Sequence, residues 1–199
     1  MTNINIRGSL AWLRHTAVLT LFLTAIFLTQ QYLIMPLEIW FSESSLAAIA
    51  SLVFIPHGAK VLLATLSGYG SIVPILTAQF IGGLSFNLPP GDAFAASAIA
   101  TAAVILPLIL LRYSNTLRKD PSNPNLFWAM LYIGAASSVL NSTFISLYRE
   151  FAFNGISLRF FVGDIMGTVL VFALLISLRR LLIRLSLKAI ERSARRLRR

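Results

Sequence analysis

Three ionisable side chains stand within apolar stretches of this chain: His57 and Lys60, and Asp164 near the start of the last apolar stretch. Ionisable groups are costly in hydrocarbon, and where they occur they commonly mark ligand sites or proton pathways. His57 and Lys60 are three residues apart, so on a helix they share one face, and Asp164 carries the charge opposite to that of Lys60. We expect these three side chains to form one polar network, directly or through water. Gln79 and Asn141 are further candidates for this network or for ligand binding.

Simpler interpretations of the same residues stay open. Proline removes a backbone donor and disrupts a helix, so Pro56 alone would produce a kink, and Lys60 would then snorkel toward the membrane surface. Asp164 alone would be a helix cap, because a carboxylate is favoured near a helix N-terminus. Direct contact between Asp164 and Lys60 requires the segment 45–55 to be shallow, tilted or re-entrant.

Four residues beside these polar groups favour close packing or bending of helices: Pro56, Gly58, Gly163 and Gly167. Gly58 permits close approach of another backbone. Gly163 and Gly167 form a small-xxx-small pair, a spacing typical of tight helix contact in membranes. We expect all four to act as helix-packing or hinge positions.

Residue types that most enzyme chemistry needs are scarce. The chain has no cysteine, two histidines and seven carboxylates, which excludes disulfides and thiol catalysis and leaves little for a metal site. It also lacks a glycine-rich phosphate loop and a His-Glu-x-x-His pattern. We therefore expect a protein that is not an enzyme, with no metal and no cofactor.

The composition places these residues in a membrane. Of the 199 residues 57% are hydrophobic and 12% are charged, and the mean hydropathy is +0.78, whereas a soluble domain carries about 25% charged residues. Soluble enzymes, DNA-binding modules, disordered chains and coiled coils are all disfavoured. The apolar runs are continuous and do not alternate, which disfavours a β-barrel. The sequence predicts an all-α polytopic transmembrane bundle.

We expect six transmembrane helices in one domain, residues 1–178, followed by a basic amphipathic cytoplasmic tail, residues 179–199, that leaves the membrane as a helix. The second helix is expected to be broken at Pro56 and the first to end at Pro36. The six predicted helices are Leu10–Met35, Ser45–Ser67, Ser71–Phe86, Asp92–Leu111, Asn125–Tyr148 and Leu158–Ser177.

Positive charge predicts the orientation, because cytoplasmic loops are rich in lysine and arginine. With both termini in the cytoplasm, 14 of the 17 cations lie inside. Arg149 and Arg159 then lie outside, and Lys60 is embedded. Six helices with both ends inside satisfy this pattern best.

The tail holds nine of these cations and a single carboxylate, Glu191, with leucines interleaved. We expect it to contact the anionic headgroups of a bilayer, each cation near the leaflet contributing about 1 kcal/mol, or to dock an acidic membrane or cytoplasmic protein. Nothing accompanies the charge that suggests nucleic acid. The expected contact residues are Arg179, Arg180, Arg184, Lys188, Arg192, Arg195 and Arg196.

Two runs of residues together resemble the first family of MASE-type membrane-associated sensor domains. One is Pro56-His57-Gly58 followed by a glycine turn, Pro74, Gly82 and Asn87; the other is Phe160-Phe161-Val162-Gly163-Asp164-Ile165-Met166-Gly167. The resemblance implies a multi-helix sensory region in the bacterial inner membrane. Members commonly have about eight helices and precede a signalling output domain, so here a signal would pass to another polypeptide.

Three hypotheses for function follow. The first is a non-enzymatic membrane sensor or scaffold subunit that acts through a partner protein. The second is the substrate-binding component of a small-molecule transporter, since the length and the helix count also resemble the vitamin-binding subunits of energy-coupling-factor transporters. The third is an accessory subunit of a larger membrane complex.

Overall fold

Helices dominate the chain because a helix satisfies its own backbone hydrogen bonds in an apolar medium. The computed structural model describes residues 6–42, 50–114, 125–150 and 155–197, of which 6–9, 42, 125–127 and 180–197 are described by backbone alone. No strand occurs within these ranges. The helices are α1 (Ile6–Thr29), α2 (Met35–Ser42), α3 (Ile55–Ser67), α4 (Ile72–Ser85), α5 (Pro90–Tyr113), α6 (Asn125–Tyr148) and α7 (Gly155–Leu197).

Five helical segments of the described residues are long and apolar enough to cross a membrane, which fits a multi-pass membrane protein. The sequence predicts six, and the difference lies in Ile55–Ser85, which counts as one apolar segment although it contains two helices, α3 and α4. The second and third predicted helices form one continuous apolar segment, in which the short 3-10 turn Gly68–Ser71 joins α3 to α4. The five segments are Leu10–Phe41, Ile55–Ser85, Pro90–Tyr113, Trp128–Tyr148 and Gly155–Arg179.

The segment Ile55–Ser85 folds back on itself at that turn. Lys60 Nζ in α3 donates to Gln79 Oε1 in α4 over 3.1 Å, whereas 19 residues of straight helix would span about 28 Å. Gly68 makes the bend with a φ of 58°. Arg112, at the end of α5, packs on this turn, with its guanidinium 4.8 Å from the centre of the Tyr69 ring.

The first helix passes through Pro36, contrary to the prediction that it ends there. A π-helical turn, Gln30–Ile34, connects α1 to α2 without a break. Proline clashes with the carbonyl four residues earlier in a regular helix, here that of Tyr32. The wider π turn includes Tyr32 and relieves this clash, so the helix continues to Ser42.

The predicted second helix is also corrected at its start. Residues 50–54 are not helical, and α3 begins at Ile55 with Pro56 in its first turn, so Pro56 opens a helix and does not break one. The preceding part of the prediction, residues 45–49, lies outside the described residues. Phe54 N donates to Gly163 O over 2.9 Å, which places the start of α3 about 12 Å along α7 from Gly155.

The non-helical stretch 50–54 obtains backbone partners from Gln30 in the π turn. Gln30 is fully buried. Its Nε2 donates to Val53 O over 2.9 Å and to Ser51 Oγ over 3.1 Å, and its Oε1 accepts from Ile55 N over 3.1 Å. One side chain thus satisfies a carbonyl of the stretch and a free N–H of the first turn of α3.

Glu38 and Arg159 supply the remaining partners near one end of the bundle. Glu38 accepts from Leu52 N over 2.7 Å and from Ser51 Oγ over 2.6 Å. Arg159 forms a 2.7 Å ion pair with Glu38 and donates through Nε to Ala50 O over 2.9 Å. We call this the Glu38 end of the bundle.

Other contacts at the Glu38 end fix the directions of the helices. Gln31 bonds Ser85, which brings the end of α4 beside the π turn. Asp92 at the start of α5 pairs with Arg149, one residue beyond α6, over 3.2 Å. Consequently α1, α4 and α6 run toward the Glu38 end, and α5 and α7 run away from it.

Helix α7 continues past the last predicted span into the tail, which was itself expected to be helical. The last predicted span ends at Ser177, whereas the helical backbone continues without interruption to Leu197. Residues 179–197 of the tail are therefore a direct continuation of the last spanning helix. Its expected lipid or partner contacts fall almost wholly on side chains outside the described residues.

The contact between α3 and α7 depends on glycine. A Cβ at Gly167 would overlap the carbonyl oxygen of Phe54, and a Cβ at Gly163 would overlap that of Ser51. A Cβ at Gly58 would come within 2.5 Å of Gly167 O. The expected packing residues thus all lie at this one interface, together with Pro56 in the first turn of α3.

We predict that Gly167→Ala lowers the thermal unfolding temperature in detergent. The added methyl group pushes α3 away from α7, and such overpacking lowers the free energy of unfolding by about 1–3 kcal/mol. Gly91→Ala is the matched control, since nothing lies within 4 Å of its Cβ position in α5. Alanine favours a helix at either position. Equal unfolding temperatures for the two variants would show that the glycine contact is not required.

Candidate functional site

The first turns of α3 place His57 against Asp164 of α7. Both side chains are fully buried, and His57 Nδ1 lies 3.1 Å from Asp164 Oδ2. The contact does not have the geometry of a hydrogen bond. Because two unprotonated acceptors at this distance repel each other, at least one of the two atoms carries a proton.

The other ring nitrogen of His57 faces α6. His57 Nε2 lies 2.9 Å from Ser137 Oγ and 3.4 Å from Ser138 Oγ. Both hydroxyls also reach the carbonyl of Gly134, over 3.1 Å and 2.8 Å. The imidazole therefore joins α3 to α6 on one side and to α7 on the other.

Lys60 lies one turn deeper in α3 and is fully buried. Its ammonium donates to Gln79 over 3.1 Å and lies 5.9 Å from the centre of the Phe54 ring. The snorkelling alternative is therefore wrong, because the side chain turns inward to polar partners.

Asn141 of α6 completes the network. Its Nδ2 donates to Asp164 Oδ2 over 2.7 Å, while Asn141 Oδ1 and Asp164 Oδ1 have no hydrogen-bond partner among the described residues. Asp164 is ten residues into α7, which starts at Gly155, so it does not cap its own helix. The structure thus brings together all five predicted polar candidates: His57, Lys60, Gln79, Asn141 and Asp164.

A cavity of about 380 Å³ adjoins this network. Gln79 and Asn141 belong to both the network and the cavity wall, and Ser51 and Arg149 are its other polar lining residues. The rest of the wall is apolar. It is formed by Met35, Ala50, Phe54, Phe86, Leu88, Ala96, Ala100, Ile145 and Phe160.

The site resembles a serine–histidine–aspartate triad in its arrangement. His57 Nε2 faces Ser137, and His57 Nδ1 faces Asp164. The serine has no access to a substrate, however. Ser137 is fully buried, it does not line the cavity, and its hydroxyl is engaged by Gly134 O. The geometry therefore supports a buried polar link between three helices and offers no exposed nucleophile.

No cluster of three or more potential metal ligands occurs within the described ranges. Comparison with protein-family models, with curated proteins and with solved structures finds no match for this chain.

Several residues of the site were not predicted from sequence. The stretch that leads into α3 is bonded by Gln30, Ser51 and Glu38. Thr168 of α7 packs against Gly134 of α6, where a Cβ would lie 2.7 Å from Thr168 Cγ2. Gln30 carried a usable signal, because it is a strongly polar residue within a long apolar run. The others have no local pattern that separates them from ordinary polar residues.

We predict that charge removal at Asp164 and at Lys60 is strongly coupled. Asp164→Asn leaves the Lys60 ammonium without its counter-charge and should destabilise the protein by about 3 kcal/mol or more. Asp164→Asn combined with Lys60→Met should be less destabilising than the sum of the single changes. Thermal unfolding of both singles and the double in one detergent measures this.

Asp92→Asn is the matched control, because its ion pair with Arg149 is about one-third exposed and such pairs contribute about 1 kcal/mol or less. Strict additivity of the Asp164 and Lys60 changes would contradict the coupled network.

Proposed function

We propose that this chain is a membrane-embedded binding subunit of sensor type, which holds a small molecule in the cavity beside Gln79 and Asn141 and acts through a partner protein. The observation that carries the proposal is the cavity itself, whose wall is mainly apolar with a few convergent polar groups. Such a wall is typical of small-molecule sites. No catalytic step is part of the proposal.

Helix α7 would transmit the effect of ligand binding to a partner. Asn141 connects the cavity wall to Asp164, and Asp164 belongs to a helix that continues to Leu197. A ligand that shifts Asn141 would change the contacts of Asp164. The packing of α7 against α3 would change as a result. The basic tail is the part of α7 that a partner or a lipid surface would contact.

The likeness to MASE-type sensor domains supports the same proposal. Its two motifs, Pro56-x-Gly58 and Gly163-Asp164-x-x-Gly167, are more than 100 residues apart in sequence, yet they pack directly on each other. Their shared role would be to hold His57 beside Asp164. Membership of that family would place the chain in the bacterial inner membrane.

A transporter component that binds substrate is the second candidate, favoured by the interrupted entry to α3. Helices that begin inside the membrane, after a stretch of irregular backbone, are typical of substrate sites in transporters. Uptake that depends on a partner ATPase would favour this candidate over the sensor.

The proposed orientation has the Glu38 end outside and both termini in the cytoplasm. The alternation of helix directions supports it, because α1 runs toward the Glu38 end and α7 runs away from it. The cation-rich segment 112–119 and the tail then lie inside, as expected for cytoplasmic regions.

We predict that a cysteine at Gly91 reacts with a membrane-impermeant maleimide on intact cells and that a cysteine at Asn123 reacts only after lysis. The chain has no native cysteine, so Gly91→Cys and Asn123→Cys each present a single thiol. The unsubstituted chain is the control. Labelling of Asn123→Cys on intact cells would contradict the orientation.

We predict that Ala96→Trp removes the bound small molecule, because the indole fills the cavity that Ala96 lines. Ala98→Trp is the matched control, since Ala98 is exposed on another side of α5. Mass spectrometry of small molecules from protein purified in native lipid discs should show at least one species in the wild type and Ala98→Trp that falls about tenfold in Ala96→Trp. Bilayer lipid as the sole occupant, or equal content in all three proteins, would contradict the proposal.

A further inference from the structure

The polar side chains that line the cavity differ in what they leave free for a ligand. Ser51 leaves nothing, because a hydroxyl has one donor and two acceptor sites and all three are used. Its Oγ donates to Glu38 over 2.6 Å. It accepts from Gln30 Nε2 over 3.1 Å and from Val53 N over 3.2 Å.

Asn141 offers the cavity no open acceptor. Its Oδ1 is enclosed by protein, and its Nδ2 donates to Asp164 over 2.7 Å. Any polar surface that Asn141 adds to the wall therefore belongs to its N–H₂ group, which is a donor.

Gln79 presents a free donor. Its side chain is half-buried, and its Oε1 accepts from Lys60 Nζ over 3.1 Å, which leaves the two hydrogens of Nε2. This nitrogen makes no hydrogen bond with the described residues, yet it is not enclosed as Asn141 Oδ1 is. Because Gln79 lines the cavity, its N–H₂ group is a donor that a ligand can reach.

Arg149 presents the second free donor. Among the described residues of the lining it alone is charged, and its guanidinium stays protonated and has five N–H groups. One of these bonds Asp92 over 3.2 Å, and the side chain is 29% exposed. Asp92 does not line the cavity, so the lining contains a cation without its carboxylate partner.

The two donors lie at different depths. Arg149 stands one residue beyond α6, at the Glu38 end. Gln79 is six residues before Ser85, the last residue of α4, which places it about 9 Å deeper in the bundle. Most of the remaining wall is apolar and includes three aromatic rings, which pack well against planar groups. These rings belong to Phe54, Phe86 and Phe160.

We propose that the cavity binds an elongated monocarboxylate with a flat apolar middle and a neutral acceptor oxygen at its far end. The carboxylate bonds Arg149, since a guanidinium binds planar anions through paired N–H groups, and the far oxygen accepts from Gln79 Nε2. A ligand donor at either end would meet another donor and stay unpaired, which is costly. This assignment of ligand chemistry rests on the proposed binding function of the cavity.

Three naphthalene probes of nearly equal shape test the assignment on the full chain in phosphatidylcholine discs. The first, 6-acetyl-2-naphthoate, has both groups. The second, 6-isopropenyl-2-naphthoate, has a CH₂ group in place of the far oxygen, and the third, 6-acetyl-2-naphthamide, has a neutral amide in place of the carboxylate. Binding is measured by calorimetry, with empty discs and Ala96→Trp discs as controls for partition into lipid.

We expect wild-type protein to bind the first probe about tenfold more tightly than each of the others, since one well-made hydrogen bond corresponds to roughly that factor. Partition into lipid predicts the opposite order, because the isopropenyl and amide probes are both less polar than the acetyl carboxylate. A preference for the first probe therefore reports the two donors of the cavity.

Gln79→Met removes the deep donor. We expect this variant to bind the acetyl and isopropenyl carboxylates equally and to keep the preference for carboxylate over amide. Gln31→Met is the matched control, since Gln31 bonds Ser85 and does not line the cavity, and it should keep both preferences.

Arg149→Gln removes the charged donor. We expect it to lose the preference for carboxylate over amide and to keep the preference for acetyl over isopropenyl. Arg112→Gln is the matched control, because Arg112 packs on Tyr69 at the other end of α5 and does not line the cavity. If either cavity variant does not fold, the three probes on wild-type protein decide the inference alone.

Three results would overturn the assignment. Equal affinity of wild-type protein for the acetyl and isopropenyl probes would show that Gln79 does not bond the ligand. Equal affinity for the carboxylate and the amide would show the same for Arg149. No binding of any probe above the Ala96→Trp level would show that this ligand class is not accepted, while the loss of a co-purified small molecule in Ala96→Trp still tests the binding function separately.

Discussion

Satisfaction of backbone polar groups in an apolar medium is the constraint on which the rest of this structure depends. Residues 50–54 enter the bundle without helical hydrogen bonds, and each unsatisfied group there would be costly. Gln30, Glu38 and Arg159 bond the backbone of this stretch. Without those partners the backbone of this stretch would be unsatisfied where it lies beside Gly163 of α7.

The position of α3 in turn explains the glycines and the buried charges. Close approach of residues 51–58 to α7 leaves no room for a Cβ at Gly163 or Gly167. That approach brings His57 within 3.1 Å of Asp164, so the buried polar groups of α3 and α7 meet in the interior. A buried charge with a partner and hydrogen bonds is tolerable, whereas an isolated one is not. Packing and electrostatics are thus two consequences of the same short distance between helices.

The network and the cavity are joined by two amides. Gln79 and Asn141 separate the charges of Lys60 and Asp164 from the cavity and present neutral polar groups to it. A single hydrogen bond thus connects the cavity wall to Asp164, and Asp164 belongs to the helix that continues to Leu197. In the proposed function, a ligand in the cavity would act on α7 through this bond.

The sequence by itself determined the helical membrane class, the bounds of α6 and the choice of polar residues worth following, because hydropathy and the scarcity of ionisable groups are local properties. It did not determine that α1 continues past Pro36, that Pro56 starts a helix, or that α3 and α4 fold back at Gly68. Those features depend on partners far away in sequence: a π turn that makes room for Pro36, Gln30 that bonds the entry to α3, and Gln79 that holds Lys60. The contact between His57 and Asp164, 107 residues apart, was expected from scarcity of charge, but only the tertiary structure brought the start of α3 to the depth of Gly163.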